Sequence, residues 1–243
     1  SLSLSLSLSL SPPLTTPSQP RGNRKRCVSP CRHPGLAGRV FTTLVEIIKK
    51  SVVQRRFQSF RDILDSYIDA HFAHTTVHSP LVVSLHALVE QAEDVAKLKE
   101  INSAMKALEY IFKFIVKSFC LWKQSCSGDD APFKGQLTAL FTSFNKMMEL
   151  SDSRIIGTQS ITLQHFAHVF NGMDNIFKTN ELGGIVQGFI QSISHLSNAK
   201  LNEHKLNFLN NLVKSPLYSK RQGRLHLNTP LTTIISFHLE SSM

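Results

Sequence analysis

The stretch INSAMKALEYIFKFIVKSFCLW, residues 101–122, decides the fold class of this chain. Its apolar residues recur three and four positions apart, which is the spacing of one face of an α-helix. The apolar face is wide, so we expect this helix to contact neighbours on more than one side. Its members are Ile101, Met105, Leu108, Ile111, Phe112, Ile115, Val116 and Phe119.

Seven further segments on either side of this stretch show the same helical spacing. Eight helices in about 178 residues correspond to about 44 residues per helical pair, within the ~40–47 residues of HEAT and armadillo repeats. The sequence therefore predicts an all-α fold, an armadillo/HEAT-like helical-repeat solenoid with disordered termini, and a compact helical bundle is the alternative. The segments are FTTLVEIIKKSVV (41–53), FRDILDSYIDAHF (60–72), SPLVVSLHALVEQ (79–91), FKGQLTALFTSFNKMMEL (133–150), ITLQHFAHVFNGMDNIF (161–177), NELGGIVQGFIQSI (180–193) and KLNEHKLNFLNNLVK (200–214).

The apolar stripes assign most large hydrophobic residues of these segments to the core, including the many phenylalanines. At the two ends of the predicted stack the stripes include Ile47, Ile63, Tyr67, Leu206 and Val213. Ser79 and Pro80 are residue types that favour the N-cap and the first turn of a helix. A Ser-Pro pair at 215–216 predicts the end of the last helix.

The first 39 residues differ from the rest of the chain. They begin with SLSLSLSLSL and continue into a stretch rich in Pro and Ser, which supports neither strand nor helix. A two-letter nucleotide repeat would encode this decapeptide, so we interpret residues 1–39 as a disordered, non-native translation. A basic targeting signal at residues 24–26 is the alternative. The range 40–221 is the helical repeat region, and 222–243 is a divergent tail.

Charge argues against a nucleic-acid partner for the folded part. The net charge is +10, but residues 1–39 supply six basic residues and no acid. Residues 40–217 contain 18 basic and 16 acidic residues, so they are close to neutral. No run of 18 apolar residues predicts a membrane span. A charge-based nucleic-acid interpretation therefore loses its support.

Candidate catalytic and metal-binding groups were sought among the titratable residues. His71, His74 and His78 are spaced three and four apart, which on one helix face could bind a metal. We expect the helix to end near Phe72, because β-branched residues and Ser-Pro follow, and we interpret the three as surface histidines near a helix end. His165 and His168 are interpreted as a solvated face beside a core aromatic residue.

Other residue pairs also predict structure rather than chemistry. Gly183-Gly184 lacks the preceding strand of a phosphate loop. Asp129 and Asp130 are interpreted as loop formers. Cys27, Cys31, Cys120 and Cys126 are expected to be free thiols. No catalytic, cofactor-binding or metal-binding residue is assigned, and no cofactor is expected.

One region carries a more specific signal than spacing alone. SAMKALEYIFKFIVKS (103–118) resembles the central helical region of the dedicator-of-cytokinesis (DOCK) family, and FQSFRDILDSYIDAHFA (57–73) resembles the segment upstream of it. Segments 137–148, 174–193 and 205–220 follow the family order at lower similarity, so the resemblance covers about residues 40–221. It is closest to the members that act on Rac. Two segments depart from the family, FCLWKQSCSGDDAP (119–132) and LHLNTPLTTIISFHLESSM (225–243).

The resemblance implies a segment of a large cytoplasmic guanine-nucleotide exchange factor for Rho-family GTPases that is recruited to the plasma membrane. Such proteins bind phosphoinositides through a C2-like domain and exchange nucleotide through a C-terminal domain, and neither matches these residues. The matching region is an armadillo-like spacer, so no exchange activity is expected from it. The implied partners are proteins: a GTPase and an adaptor through the parent protein, and a second copy by self-association. The alternatives are a free-standing helical-repeat adaptor that binds proteins and a helical metal enzyme that uses the three histidines.

Overall fold

Helices joined by short turns make up the secondary structure of the part of the chain that the computed structural model describes, which is residues 34–53, 60–126, 128–194, 196 and 198–240. No strand occurs within these ranges, so the all-α prediction is confirmed. The α-helices are α1 (Pro34–Ile48), α2 (Phe60–Ser66), α3 (His78–Val89), α4 (Leu98–Lys106), α5 (Leu108–Ser125), α6 (Ala131–Glu149), α7 (Ile156–Phe166), α8 (Thr179–Ser194), α9 (Ala199–Val213), α10 (Pro216–Ser219) and α11 (Arg221–Glu240).

Shorter helical turns extend several of these helices. Wider π turns continue α1 through Lys49–Val53 and α2 through Tyr67–His71. Tighter 3₁₀ turns lead into α4 at Val95–Lys97 and into α7 at Ser153–Ile155, and two more lie at Ala167–Phe170 and Met173–Asn175.

The helices form two layers. The first layer contains α1, α3, α6, α8 and α11, each packed against the next. The second layer contains α2, the α4–α5 pair, α7 and α9, which also pack in chain order. Each first-layer helix is followed in the sequence by second-layer helices, so the structure is the predicted stack of helical hairpins.

Hydrogen bonds between neighbouring helices of one layer measure the repeat length directly. Between α3 and α6, Ser79 to Gln136 and His86 to Ser143 both span 57 residues. Asp65 to Lys113, between α2 and α5, spans 48 residues, and Gln164 to His204, between α7 and α9, spans 40. These spans bracket the 44 residues per pair that the sequence predicts, and the two equal spans between α3 and α6 require those helices to run in parallel.

A chain of phenylalanine rings links the two layers through the core. Phe141 of α6 lies 5.9 Å from Phe112 of α5 and 6.1 Å from Phe166 of α7, measured between ring centroids. Phe166 stacks on Phe189 of α8 at 3.8 Å, and Phe189 meets Phe208 of α9 edge-on at 5.3 Å. Edge-on and offset pairs add roughly 0.5–1.5 kcal/mol each beyond the burial of their apolar area. The prediction that the phenylalanines form the core is confirmed for these five.

Three buried polar side chains hold helix ends of neighbouring elements. Ser118 Oγ of α5 accepts hydrogen bonds from the backbone N–H groups of Val77 and His78, at the start of α3. Gln159 Nε2 of α7 donates to the carbonyls of Met148 and Leu150, at the end of α6. Helix ends leave backbone groups unpaired, and these contacts satisfy some of them from outside the helix. Ser79 is therefore not the N-cap of α3, as the sequence suggests, although Pro80 does lie in its first turn.

Two helix boundaries differ from the sequence prediction. The helix predicted at 101–122 is divided at Ala107, whose backbone (φ −92°, ψ 0°) separates α4 from α5. The first helix begins at Pro34 rather than near residue 40. The low-complexity interpretation of residues 1–33 lies outside the described residues.

The C-terminal segment also requires a correction. Residues 222–243 are not a separate tail, because Arg221–Glu240 forms α11 and packs along α8. Leu227, Leu231 and Ile234 lie three and four apart and are buried. Pro230 lies inside this helix, and threonines surround it. These are weak helix formers, so they mask the apolar spacing in the sequence.

Candidate interaction surface

The three histidines that the sequence singles out lie in different environments. His71 ends the π turn after α2 and is exposed, His74 is exposed in the following loop, and His78 is buried at the start of α3. Phe72 has extended backbone, so the helix ends where the sequence predicts. The expectation of three surface histidines is wrong for His78, because the side chains of α5 and α6 cover it.

His78 lies in an aromatic pocket. Its ring meets Phe133 edge-on at 4.6 Å between centroids and also contacts Phe119 and Trp122. Its Nδ1 lies 3.2 Å from Ser118 Oγ, which already accepts two backbone N–H groups and therefore has its own O–H available to donate. Burial lowers the pKa of His78. The residue is thus a neutral packing group that fixes the start of α3.

The second histidine pair is divided between surface and interior. His168 is exposed, whereas His165 is partly buried, and burial lowers the pKa of His165. The expectation of a solvated face therefore holds for His168 alone. Across the described ranges, no three His, Cys, Asp or Glu side chains cluster closely enough to hold a metal ion.

Asp129 and Asp130 lie in the loop between α5 and α6, as predicted. Asp129 accepts a hydrogen bond from the backbone N–H of Ala131. Asp130 accepts one from Lys123 Nζ at 2.9 Å, and this bond lowers the pKa of Asp130. Both carboxylates therefore organise the turn into α6.

The cysteines are only partly as predicted. Cys120 is a partly buried free thiol, and burial raises its pKa, so it is a weak nucleophile. Cys126 is in a disulfide whose partner lies outside the described residues, and the expectation of a free thiol is wrong for it. Cys27 and Cys31 also lie outside them.

Ionic contacts join α2 to α5. Lys113 Nζ lies 2.7 Å from Asp65 Oδ1 and 2.9 Å from Glu109 Oε1. Partial burial lowers the pKa of Lys113, but its hydrogen bonds to Asp65 and Glu109 outweigh that effect and the net pKa is raised. Lys117 Nζ also donates to the carbonyl of Asp69 at 2.7 Å. The charges at this junction are therefore used to hold helices together.

Two grooves open in the first layer. One, of about 580 Å³, lies between α1, α3 and the start of α4. The other, of about 490 Å³, lies between α6 and α8 and has Phe141, Phe177 and Ile185 among its lining residues. Gly184 borders the second groove, and a Cβ at that position would meet nothing within 4 Å. Both grooves have apolar and polar lining, which suits non-covalent contact with a polypeptide.

Gly183 and Gly184 lie inside α8 rather than in a phosphate-binding loop. Gly183 is a packing residue, because a Cβ there would lie 2.8 Å from the ring of His226. His226 in turn lies 2.5 Å from Asn180 Oδ1 and 3.3 Å from Gln187 Oε1, both on α8. The small size of Gly183 therefore lets α11 approach α8 closely.

The sequence analysis missed two buried polar residues. Ser118 interrupts an apolar stripe, and that interruption is a signal that could have identified it. Lys205 is fully buried, and its Nζ donates to the carbonyl of Leu196 at 2.7 Å. Burial lowers the pKa of Lys205. The neighbouring Leu206, predicted in the core, is 42% exposed instead.

Comparison with known proteins gives a consistent result. A family model described as the dedicator of cytokinesis (DOCK) TPR region matches residues 35–243. Mouse and human dedicator of cytokinesis protein 3 are each 29% identical over 208 residues, which cover 82% of this chain and 10% of the relative. Human dedicator of cytokinesis protein 4 is 27% identical over 209 residues, with 83% and 10% covered. The chain thus spans about a tenth of the length of these relatives.

Proposed function

The chain belongs to the dedicator-of-cytokinesis family through its TPR region, and on this premise we propose that it is a non-catalytic helical scaffold segment of a guanine-nucleotide exchange factor for Rho-family GTPases. Rac is the GTPase that the resemblance of residues 57–73 and 103–118 favours. The segment would act in small-GTPase signalling and control of the cytoskeleton. It would position the domains of the parent protein relative to one another, and exchange would be carried out elsewhere in that protein.

The observation that carries this proposal is the continuous core of the stack. Phenylalanine rings connect α5, α6, α7, α8 and α9 without a break. A core packed in this way transmits displacement poorly to hinges, because protein interiors are close-packed and resist deformation. Such a stack is suited to holding its two ends at a fixed distance.

A nucleotide-release assay tests the absence of exchange activity. Rac loaded with a fluorescent GDP analogue would be mixed with the purified chain and excess GTP. We expect release at the spontaneous rate at every concentration of chain. A magnesium chelator, which accelerates release on its own, would show that the assay responds. Concentration-dependent acceleration by the chain would refute the non-catalytic assignment.

The partners in this proposal are proteins, namely a GTPase and an adaptor that act through the parent protein, and self-association of the segment. We place the parent protein in the cytoplasm with recruitment to the plasma membrane. None of the described helices is long and apolar enough to cross a bilayer. Sedimentation with phosphoinositide vesicles checks that the segment does not bind lipid, and co-sedimentation above that seen with neutral vesicles would contradict it.

A second candidate, a protein-binding adaptor, is favoured by the groove between α6 and α8. Gly184 leaves room in that groove, so Gly184→Met would fill it, whereas Gly157→Met places the same side chain on an open part of α7. An adaptor function predicts peptides from an array that bind the wild-type chain and the Gly157→Met variant but not Gly184→Met. An array with no such peptide would remove this candidate.

A further inference from the structure

Exposed large apolar side chains are concentrated at the two ends of the stack. Thirteen occur among the described residues, and only Val83 and Val95 lie between residues 78 and 194. The N-terminal hairpin, residues 34–71, carries five of them, and residues 199–240 carry six. The eleven terminal ones are Val40, Ile47, Phe60, Ile63, Tyr67, Leu206, Val213, Leu225, Ile235, Phe237 and Leu239.

At the N-terminal end these residues lie on the outer edge of the stack. Asp65 of α2 faces α5 through its contact with Lys113. Ile63 and Tyr67 each lie two residues from Asp65, and therefore about 200° from it around the helix. They are 59% and 42% exposed. The apolar edge of α2 thus points away from the next repeat.

The first-layer helix of the same end shows the same arrangement. Val40 and Ile47 of α1 are seven residues apart, which places them on one side of the helix. They are 56% and 52% exposed. Phe41 and Val45, on the adjoining side, are buried. We call the surface formed by Val40, Ile47, Ile63 and Tyr67 the leading edge.

The C-terminal end carries the opposite edge. His204 of α9 faces α7 through Gln164. Leu206 and Val213 follow it by two and nine residues, which places them about 180–200° around the helix from His204. On α11, His226 faces α8, and Ile235 lies nine residues later on the far side. We call Leu206, Val213, Ile235 and Leu239 the trailing edge.

We propose that the trailing edge of one copy of this chain binds the leading edge of a second copy, so that both layers continue from copy to copy. Each junction inside the molecule is already of this kind, with one repeat's outer edge packed on the inner edge of the next. A second copy presents the edge that each end lacks. The contact is therefore a continuation of the interface that builds the stack.

Charge complements the apolar contact. Residues 60–71 contain Arg61 and three aspartates, for a net charge of −2. Residues 199–240 contain six basic and two acidic residues, for a net charge of +4. Opposite net charges on the two ends favour head-to-tail approach and disfavour tail-to-tail approach.

The two edges are different surfaces, so the contact is heterologous and each added copy leaves one free edge of each kind. The proposal therefore predicts open-ended growth with concentration rather than a closed dimer. It does not depend on the proposed scaffold function, because exchange assays measure a separate property.

The test uses the full 243-residue chain and two variants that each block one edge. Ile47→Glu/Ile63→Glu blocks the leading edge, and Leu206→Glu/Ile235→Glu blocks the trailing edge. Glutamate is used on both so that blocked edges repel each other. Val83→Glu, at an exposed position of α3, is the matched control. Light scattering after size exclusion gives the mass, and circular dichroism confirms helix content.

We expect the mass of the wild type and of Val83→Glu to rise with concentration. Each blocked variant should remain at the monomer mass of 27.2 kDa. An equimolar mixture of the two blocked variants should reach twice that mass and no more, because it contains one intact interface. Should a double variant lose helix content, Ile63→Ser and Leu206→Ser carry the same prediction with a smaller shift.

Three results would overturn the proposal. A wild-type chain at monomer mass at all concentrations would leave other repeats of a longer polypeptide as the occupant of these edges. A blocked variant that still dimerises alone would indicate a symmetric contact. A mixture that stays monomeric would show that the two edges do not bind each other.

Discussion

The α2–α5 junction and the α8–α11 junction belong to the first and last repeats of the stack, and different interactions hold them together. At the first, Lys113 joins Asp65 and Glu109 through partly exposed ion pairs. At the second, Gly183 allows the ring of His226 to lie directly on α8. A charged contact tolerates small displacements, whereas a close contact between backbones does not. The two junctions should therefore respond to different perturbations.

The largest effect is expected at Gly223, where α11 begins beside α10. A Cβ at this position would lie 2.0 Å from the backbone oxygen of Leu217, which no side-chain rotation relieves. We expect Gly223→Ala to lower the free energy of unfolding by about 2–3 kcal/mol, the range for overpacked sites. Urea denaturation followed by circular dichroism measures it. Gly184→Ala, with open space around its Cβ, is the control and should be neutral or slightly stabilising. Equal stability of Gly223→Ala and wild type would refute the close-contact description.

A smaller loss is expected at Gly183, because its neighbour is a side chain that can move. Gly183→Ala should displace His226 and break its contacts with Asn180 and Gln187, at about 1–2 kcal/mol. In the His226→Ala background the same substitution should cost much less, since the clash is gone. A double-mutant cycle measures this coupling. Additive effects would mean that the two residues do not compete for space.

The α2–α5 junction should show a weak and salt-dependent effect. Both carboxylate and ammonium are partly exposed, at 40% and 34%, so Asp65→Asn should cost only about 0.5 kcal/mol at low salt. Because salt screens such pairs, the difference should shrink at high salt. Asp62→Asn is the control, since Asp62 forms no ion pair with any other described residue. A salt-independent loss would point to packing instead of charge.

The smallest effect is a pH dependence confined to the same junction. Since the pKa of Lys113 is raised in the folded chain, its contribution to stability is fully present below its unfolded pKa. It is lost as the pH rises through the folded value, above about 10.5. The wild type should therefore lose slightly more stability than Lys113→Met between pH 10 and 11.5. Parallel pH curves for the two proteins would exclude a contribution from Lys113.

Helical spacing and repeat length could be predicted from the sequence because they depend on local periodicity. The registers within one helix could not. Lys205 and Leu206 are adjacent, and hydropathy alone assigns Leu206 to the core, yet Lys205 is buried because the carbonyl of Leu196 provides its partner. Such a partner is a tertiary property that the spacing does not contain.

The candidate surfaces were also hidden from sequence reasoning for a physical reason. The apolar stripes of α2 and α9 are wider than the faces that these helices bury, and a stripe has the same appearance whether or not a neighbour covers it. Ile63 and Val213 were assigned to the core on this basis and are exposed. His78 shows the converse error, since a histidine near a helix end resembles a surface residue until α5 and α6 are placed over it.

The sealed amine of Lys205 makes the chain its own labelling reporter. An amine-reactive reagent reaches exposed lysines such as Lys146 in the native molecule, but it reaches Lys205 only when α9 separates from its neighbours. The rate at which this one peptide gains mass therefore gives the opening frequency of the last hairpin. The same reasoning applies to enzymes that acetylate lysines, for which Lys205 is a substrate only in chains that have opened.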